Sequence, residues 1–324
     1  MNDINIVEYN SKDRKSCIDL LKRTFPGTSD DGTFCWRFES RSRHSPLIIC
    51  AKDKDKIVSF NSWIPWEFVH NDHTYLAYQS GESATYEEYR GKGIWGRVLR
   101  YADQVATERN IDFLYGFPST MSYRAFYKAD YCPIGIFNYR LRLINPFIKN
   151  EASKTDYNFD DFPPQTLYEK NKITPMNDAD YFEWRYLKNS KHYDVIKYVE
   201  NNNQALFIVN QEDYFNKRFR VKICELLLLD CHFTSYNQIF MENAFKYLDQ
   251  IYSGKVFYIK TFLNENTDRG RAICKHFHIR FKLNTRFMSR CEILCIKIIN
   301  QNLDYSVFFN YNNWDIFPHV IDEM

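Results

Sequence analysis

Glycine is scarce in this chain, at 10 of 324 residues. Backbone that must turn left-handed or come unusually close to something is therefore confined to a few places. Three of the ten glycines, Gly91, Gly93 and Gly96, fall within six residues of one another. Net charge is nearly absent as well. The 43 Lys and Arg against 41 Asp and Glu leave +2, which gives no bulk electrostatic case for nucleic acid. No run of about 18 apolar residues exists, so no membrane span is expected. The first ten residues are polar and mixed, unlike a signal peptide. The nine cysteines are odd in number and scattered, and Cys50, Cys224 and Cys295 sit in apolar runs. Free thiols in a reducing cytoplasm are expected, not a disulfide framework. The ligand-type pairs His70-x-x-His73, Cys274-x-His276-x-His278 and Cys291-x-x-x-Cys295 lack a second pair at zinc spacing, so no metal site is expected. No nucleophile elbow is present either.

Apolar material is plentiful, 44% of residues, with 18% aromatic. At this length about two domains are expected. Tyr78–Thr85 reads as a strand, Tyr89–Gly93 as a tight basic turn, and the residues from Ile94 as a helix. Ile94, Val98, Tyr101, Ala102 and Val105 share one face of it at spacings of three and four. Glycines let backbone approach a ligand, and the first N–H groups of a helix have no internal partners, so such a turn receives an anion. Arg90 and Lys92 add charge. The turn has neither the Gly-Lys-Ser/Thr of a P-loop nor a full G-x-G-x-x-G. It reads as a cradle for a phosphate or pyrophosphate.

Around it the order of elements is regular. Asp13–Phe25 is an amphipathic helix stopped by Pro26-Gly27. A short aromatic segment, Phe34–Phe38, follows. Leu47–Ala51 and Ile57–Trp63 are a hairpin joined by the charged break Lys52–Lys56, and Phe68–Asp72 is a further strand edge and turn. After the cradle helix come a buried strand at Ile111–Phe117, a short helix at Ser122–Ala129 and an alternating strand at Ile134–Leu143.

The second half echoes the first. Phe182-Glu183-Trp184-Arg185-Tyr186 matches Phe34-Cys35-Trp36-Arg37-Phe38, and His192 matches His44 at the same offset. Paired strands follow at Ile196–Ile208. Then come a buried strand at Cys224–Leu229, a helix opened by a capping box at Ser235-x-x-Gln238, a strand at Lys255–Phe262 and a short helix at Thr267–Phe277. The turn after Cys224–Leu229 has no glycine, Lys or Arg, so the phosphate site does not repeat. The expected organisation is a domain over residues 1–145, a polar, proline-bearing linker over 146–165, and a degenerate copy over 166–324.

On these residues the first half resembles the Gcn5-related N-acetyltransferases, the GNAT superfamily. The pyrophosphate signature of that family, [Q/R]-x-x-G-x-[G/A], reads Arg90-Gly91-Lys92-Gly93-Ile94-Trp95 here. Trp95 stands where the family has its second small residue, with Gly96 one step on. Ile111–Phe117, the following helix and Tyr131 resemble the second cofactor segment of the family. The resemblance implies an α+β fold, here two tandem acyl-CoA N-acyltransferase-like domains, each a mostly antiparallel sheet flanked by helices. It implies acetyl-CoA as donor, bound by Arg90, Gly91, Lys92, Gly93, Ile94, Trp95 and Gly96, with the pantetheine along Ala84 and Thr85. It further implies a primary amine of a small molecule as acceptor, an amino sugar by analogy. Direct attack of the amine needs a base, for which Glu82 on the cradle strand is the candidate. Tyr127 is the candidate acid, with Tyr123 a weaker one. Phe126 stands where the family often has tyrosine. Two other outcomes follow from the same residues: a CoA-binding or scaffold protein without catalysis, or a tRNA-dependent aminoacyl transferase of related fold. The near-neutral charge and the intact cradle weigh against the last. No feature of the sequence bears on oligomeric state.

Overall fold

The computed structural model describes residues 4–26, 29–40, 43–145, 147–148, 169–189, 193–201, 203–214, 218–229, 238–280 and 291–318. Most of the expected linker, His192, Ser235 and the turn after the strand at 224–229 lie outside the described residues. The first half runs β1 (Ile4–Glu8), α1 (Arg14–Thr24), α2 (Asp31–Phe38), β2 (Leu47–Asp53), β3 (Lys56–His70), β4 (His73–Thr85), α3 (Ile94–Glu108), β5 (Phe113–Gly116), α4 (Tyr123–Lys128) and β6 (Cys132–Leu143). The second half runs β7 (Thr174–Pro175), α5 (Ala179–Phe182) continued by a π-helical turn at Glu183–Leu187, β8 (Tyr193–Glu200), β9 (Asn203–Tyr214), β10 (Arg218–Leu229), α6 (Gln238–Tyr252), β11 (Val256–Phe262), α7 (Asp268–Cys274), β12 (Ile279–Arg280), β13 (Cys291–Ile298) and α8 (Tyr305–Phe308). The fold is α+β with a mostly antiparallel sheet flanked by helices.

Local chemistry accounts for the boundaries. Asn71 and Asp72 both have positive φ, 50° and 60°, the backbone of a two-residue hairpin turn between β3 and β4. The aromatic segment Phe34–Phe38 is the core of helix α2, not a separate element. Asp30 caps α2 by accepting from the Thr33 amide at 2.7 Å, and that bond draws the Asp30 carboxyl below its usual range. Helix α3 lays Ile94, Val98, Leu99, Ala102, Val105 and Ala106 on one face of the sheet. Helix α6 does the same in the second half with Phe240, Met241, Ala244, Phe245, Leu248 and Ile251.

The strands form one sheet in the order β1-β2-β3-β4-β5-β13-β6-β11-β10-β9-β8, with β7 on β3 and β12 on β6. The order contains an exchange. Strand β13, from the end of the chain, lies between β5 and β6 of the first half, pairing Ile298 with Phe113 and Cys291 with Asn138. Strand β6 crosses the other way and pairs with β11, Leu143 opposite Tyr258. Each half therefore lends its last strand to the other. One apolar core spans both, with Phe34, Phe60, Trp66 and Phe113 joined to Phe182, Trp184, Leu206 and Phe262.

The two W-R segments meet face to face. The Trp36 and Trp184 rings stack with centroids 5.4 Å apart and planes 15° from parallel. Trp36 Nε1 donates to the Trp184 carbonyl at 2.6 Å, and Trp184 Nε1 donates to the Trp36 carbonyl at 3.0 Å. This reciprocity is what two repeats related by an approximate twofold would give. Stacking of this kind adds roughly 0.5–1.5 kcal/mol beyond burial.

Candidate active site

The cradle begins where β4 ends. A turn of 3-10 helix at Glu87–Tyr89 leads to Arg90, whose Nε donates back to the Thr85 carbonyl at 3.1 Å. Gly91 and Gly93 have φ of +74° and +71°, and Gly93 caps α3 in the left-handed conformation. Other residues adopt that backbone only with strain. Apart from its own chain neighbours, no described residue puts an atom within 4 Å of where a Cβ would stand on either glycine. The amides of Ile94, Trp95 and Gly96 open the helix, where a helix has no internal partners for its N–H groups. Ile94 anchors the turn by pointing into the core. Lys92 and Arg90 are exposed beside it, with the Lys92 ammonium 4.8 Å from the Tyr89 ring centre. Donors and cations fit an anionic diphosphate.

Next to the cradle the sheet opens. Strands β4 and β5 run parallel, paired from Ala77 with Phe113 to Gln79 with Tyr115. Beyond that pair β5 stops at Gly116 while β4 continues to Thr85. The result is a fork, and beyond it no described strand pairs with that edge of β4. At the vertex, a Cβ on Gly116 would lie 2.8 Å from Cε1 of Phe126 and 3.3 Å from the Ser80 Cβ. The Phe126 ring thus occupies the place of the missing side chain. Trp95 packs beside it, ring centres 6.0 Å apart, and its Nε1 donates to Asn61 Oδ1 at 2.8 Å. The Ser83 hydroxyl donates to the same oxygen. The indole therefore crosses β4 to reach β3, and forms a wall between cradle and vertex.

Glu82 sits at an irregularity in β4. Asn61 faces Ser83 and Trp63 faces Ser80, so Ser62 stands opposite both Gly81 and Glu82. Such a bulge re-aims a side chain and is common beside functional sites. The Glu82 carboxylate is 4% exposed and ion-paired through Oε1 to Nη1 of Arg37, from the last turn of α2. A narrow crevice on this side, too small to hold a water molecule, is lined by Leu21, Ser29, Asp30, Thr33, Phe34 and Glu82, between α1, α2 and β4.

The remaining residues expected from the sequence fall as follows. The Ala84 carbonyl accepts from Ser59 Oγ at 3.2 Å and the Thr85 carbonyl from Arg90, so both carbonyls already have partners. Tyr127 is 68% exposed and faces away from the fork, because its neighbour Phe126 takes the inward position. On a helix adjacent residues differ by about 100°, so both cannot face in. Tyr123 is half-buried against the α3 side of the sheet. Tyr131 is buried near Trp63, and burial pushes its phenol well above the ordinary range. Sequence reasoning left Arg37 without a role and did not find Asn61 or Gly116. The repeated W-R segment was the signal for Arg37; nothing local marks the other two. Among the described residues no group of three or more His, Cys, Asp or Glu is placed to hold a metal ion. No helix among them is long and apolar enough to cross a membrane.

A parallel fork beside a glycine cradle, with a bulge on the longer strand, defines the acyl-CoA N-acyltransferase class of fold. Residues 5–131 match the family model of the acetyltransferase (GNAT) domain. Among solved structures the chain is similar to a probable N-acyltransferase from Enterococcus faecalis V583, with TM-score 0.59 and 13% identity over 92% of this chain and 73% of that one. A GCN5-related N-acetyltransferase from Kribbella flavida gives TM-score 0.59 and 11% identity over 91% and 71%. The N-myristoyltransferase of Saccharomyces cerevisiae with bound myristoyl-CoA gives 0.54 and 10% over 91% and 79%. At these identities the likeness is one of fold, and it extends over both halves. No curated protein sequence matches this one.

Proposed function

We propose that the protein is an acyl-CoA-dependent N-acyltransferase that moves an acetyl group from acetyl-CoA to a primary amine of a small molecule, an amino sugar being the first acceptor to try. The observation that carries this reading is the juxtaposition of the cradle at Arg90–Gly96 with the fork and a single buried carboxylate at the bulge. The diphosphate of the donor would lie on the amides of Gly91 to Gly96, flanked by Arg90 and Lys92. Its pantetheine would follow the edge of β4 beyond the fork toward Glu82. The amine nitrogen then adds to the thioester carbonyl, the C–N bond forms, the C–S bond breaks, and the amine proton goes to a base. We assign that role to Glu82, whose side chain lies on the side of β4 that faces α1 and α2. With Phe126 at the vertex and Tyr127 outside, the departing thiolate takes its proton from water. A cytoplasmic setting, where acyl-CoA is made and used, belongs to the same reading.

The test is thiol release from acetyl-CoA with a panel of amines, run beside calorimetric binding of CoA. Turnover with an amine supports the reading. Binding of CoA without turnover across the panel would favour a CoA-binding protein without catalysis, which the apolar ring of Phe126 at the vertex makes the second reading. Absence of CoA binding, with aminoacyl transfer from a charged tRNA, would move the protein to the tRNA-dependent transferases.

A further inference from the structure

We propose that Arg37 is a positioning residue of the transfer reaction, and that the C-terminal half acts on catalysis through the Trp36–Trp184 clasp that holds Arg37 in place. The inference rests on the reading of Glu82 as the base. It assigns a role to a residue outside the cradle and to the half of the chain that lacks one.

Three observations converge. First, Glu82 and Arg37 are both nearly inaccessible, with side chains 3% and 2% exposed, and they touch through Oε1 and Nη1. Glu82 lies in the bulge, where the strand ladder that would hold its backbone is interrupted. Its carboxylate is held instead by a planar guanidinium, which fixes direction as well as charge. Second, Arg37 follows Trp36 in an eight-residue helix. The Trp36 carbonyl is bonded to Trp184 of the second half, and the Trp36 indole to the Trp184 carbonyl. Third, the Arg37 and Arg185 guanidinium carbons lie 5.5 and 5.8 Å from the Trp36 ring centre, so the repeated arginines approach the same ring. From Trp184 to the Glu82 carboxylate the path is two contacts long.

Displacement of a catalytic group by about 1 Å can cost about 100-fold in rate. The full-length protein is therefore compared as wild type, R37Q, R37K, W184A, E82Q and the doubles R37Q/E82Q and W184A/E82Q, reading kcat, KM and calorimetric CoA affinity. R37Q is expected to lower kcat about 100-fold and W184A about tenfold, with CoA affinity held within about twofold, since the cradle is untouched. R37K, which keeps the charge without the planar fork, is expected to recover part of kcat. In the E82Q background neither R37Q nor W184A should lower kcat further. Should R37Q fail to fold, R37K and W184A carry the same comparison. A loss as large in the E82Q background as in wild type, or one matched by lost CoA affinity, overturns the inference. If E82Q is slow but R37Q and W184A turn over as wild type does, the inference alone falls. If E82Q turns over normally, the base assignment falls and this inference with it.

Discussion

Among the described residues the sheet forks at two places, and at the second of them a side chain bonds across the vertex. In the first, β4 and β5 part after Gln79 and Tyr115; in the second, β10 and β11 part after Lys222 and Lys260. Both longer strands have an irregularity just beyond the parting, at Gly81–Glu82 and between Ile223 and Glu225. The next residue on the short strand differs. It is Gly116 in the first fork and Thr261 in the second, where the buried Thr261 hydroxyl donates to the Ile223 carbonyl at 3.1 Å. One side chain stitches the second fork across its vertex. The second half keeps strand order and bulge, and differs at a vertex residue and in the turn composition seen in its sequence.

The largest effect is expected from cutting the chain between the halves. A fragment of residues 1–145 lacks β13, which occupies the place between β5 and β6, and leaves both strand edges unpaired. It is expected not to fold cooperatively by circular dichroism or thermal melting, while co-expression with residues 146–324 restores a folded complex. A folded, CoA-binding 1–145 fragment would make the exchange dispensable. Next in size is Glu82→Gln, expected to lower kcat by about 10²–10⁴, the usual range for a general base, with CoA affinity kept. Steady-state turnover at saturating amine decides it.

Gly116→Thr gives the first fork the residue of the second. The new side chain meets the Phe126 ring, so about 1–3 kcal/mol of stability is lost through overpacking, and the vertex is filled. Melting and CoA titration together should show both losses; retention of CoA affinity would separate the vertex from the donor path. Gly93→Val addresses the cradle. Its φ of +71° is costly for a β-branched residue, and the Cβ would stand on the face proposed for the anion. CoA affinity should fall at least about tenfold, equivalent to about 1.4 kcal/mol.

The smallest effect belongs to the second half. Burial first, and the Arg142 charge next, draw His276 down from 6.5 to about 4. Its ring stacks on Phe245 at 4.7 Å. Between those two values the unfolded chain binds a proton that the folded one does not, so stability falls as pH drops from 6.5 toward 4. Discounted for partial exposure, the loss is about 1–2 kcal/mol. Urea denaturation at pH 7 and pH 4.5 of wild type and His276→Gln should show a smaller acid loss in the variant.

The cradle was legible because glycine is rare and three glycines share one turn, and because a positive φ leaves a mark in residue type. The repeat was legible because Trp-Arg recurs at a fixed offset. What escaped was non-local. Nothing in Cys291–Ile298 distinguishes a strand that pairs with its own half from one that pairs with Phe113, since both need the same apolar run. Arg37 and Glu82 are 45 residues apart, and only the fold makes them a pair. Phe126 and Tyr127 are neighbours, and helix phase alone decided which ring faces the vertex.

The exchanged strand also sets a schedule for synthesis. When Leu143 leaves the ribosome the first half has its cradle, its fork and both edges of an empty lane in its sheet. The strand that fills that lane begins at Cys291, about 150 residues later. At about 5–20 residues per second the nascent chain waits roughly 7–30 s with those edges bare. Bare edges recruit other strands, so the interval calls for a chaperone or for temporary cover by β6. It also ties the two halves together, because the final strand of the half without a cradle is a structural part of the half that has one.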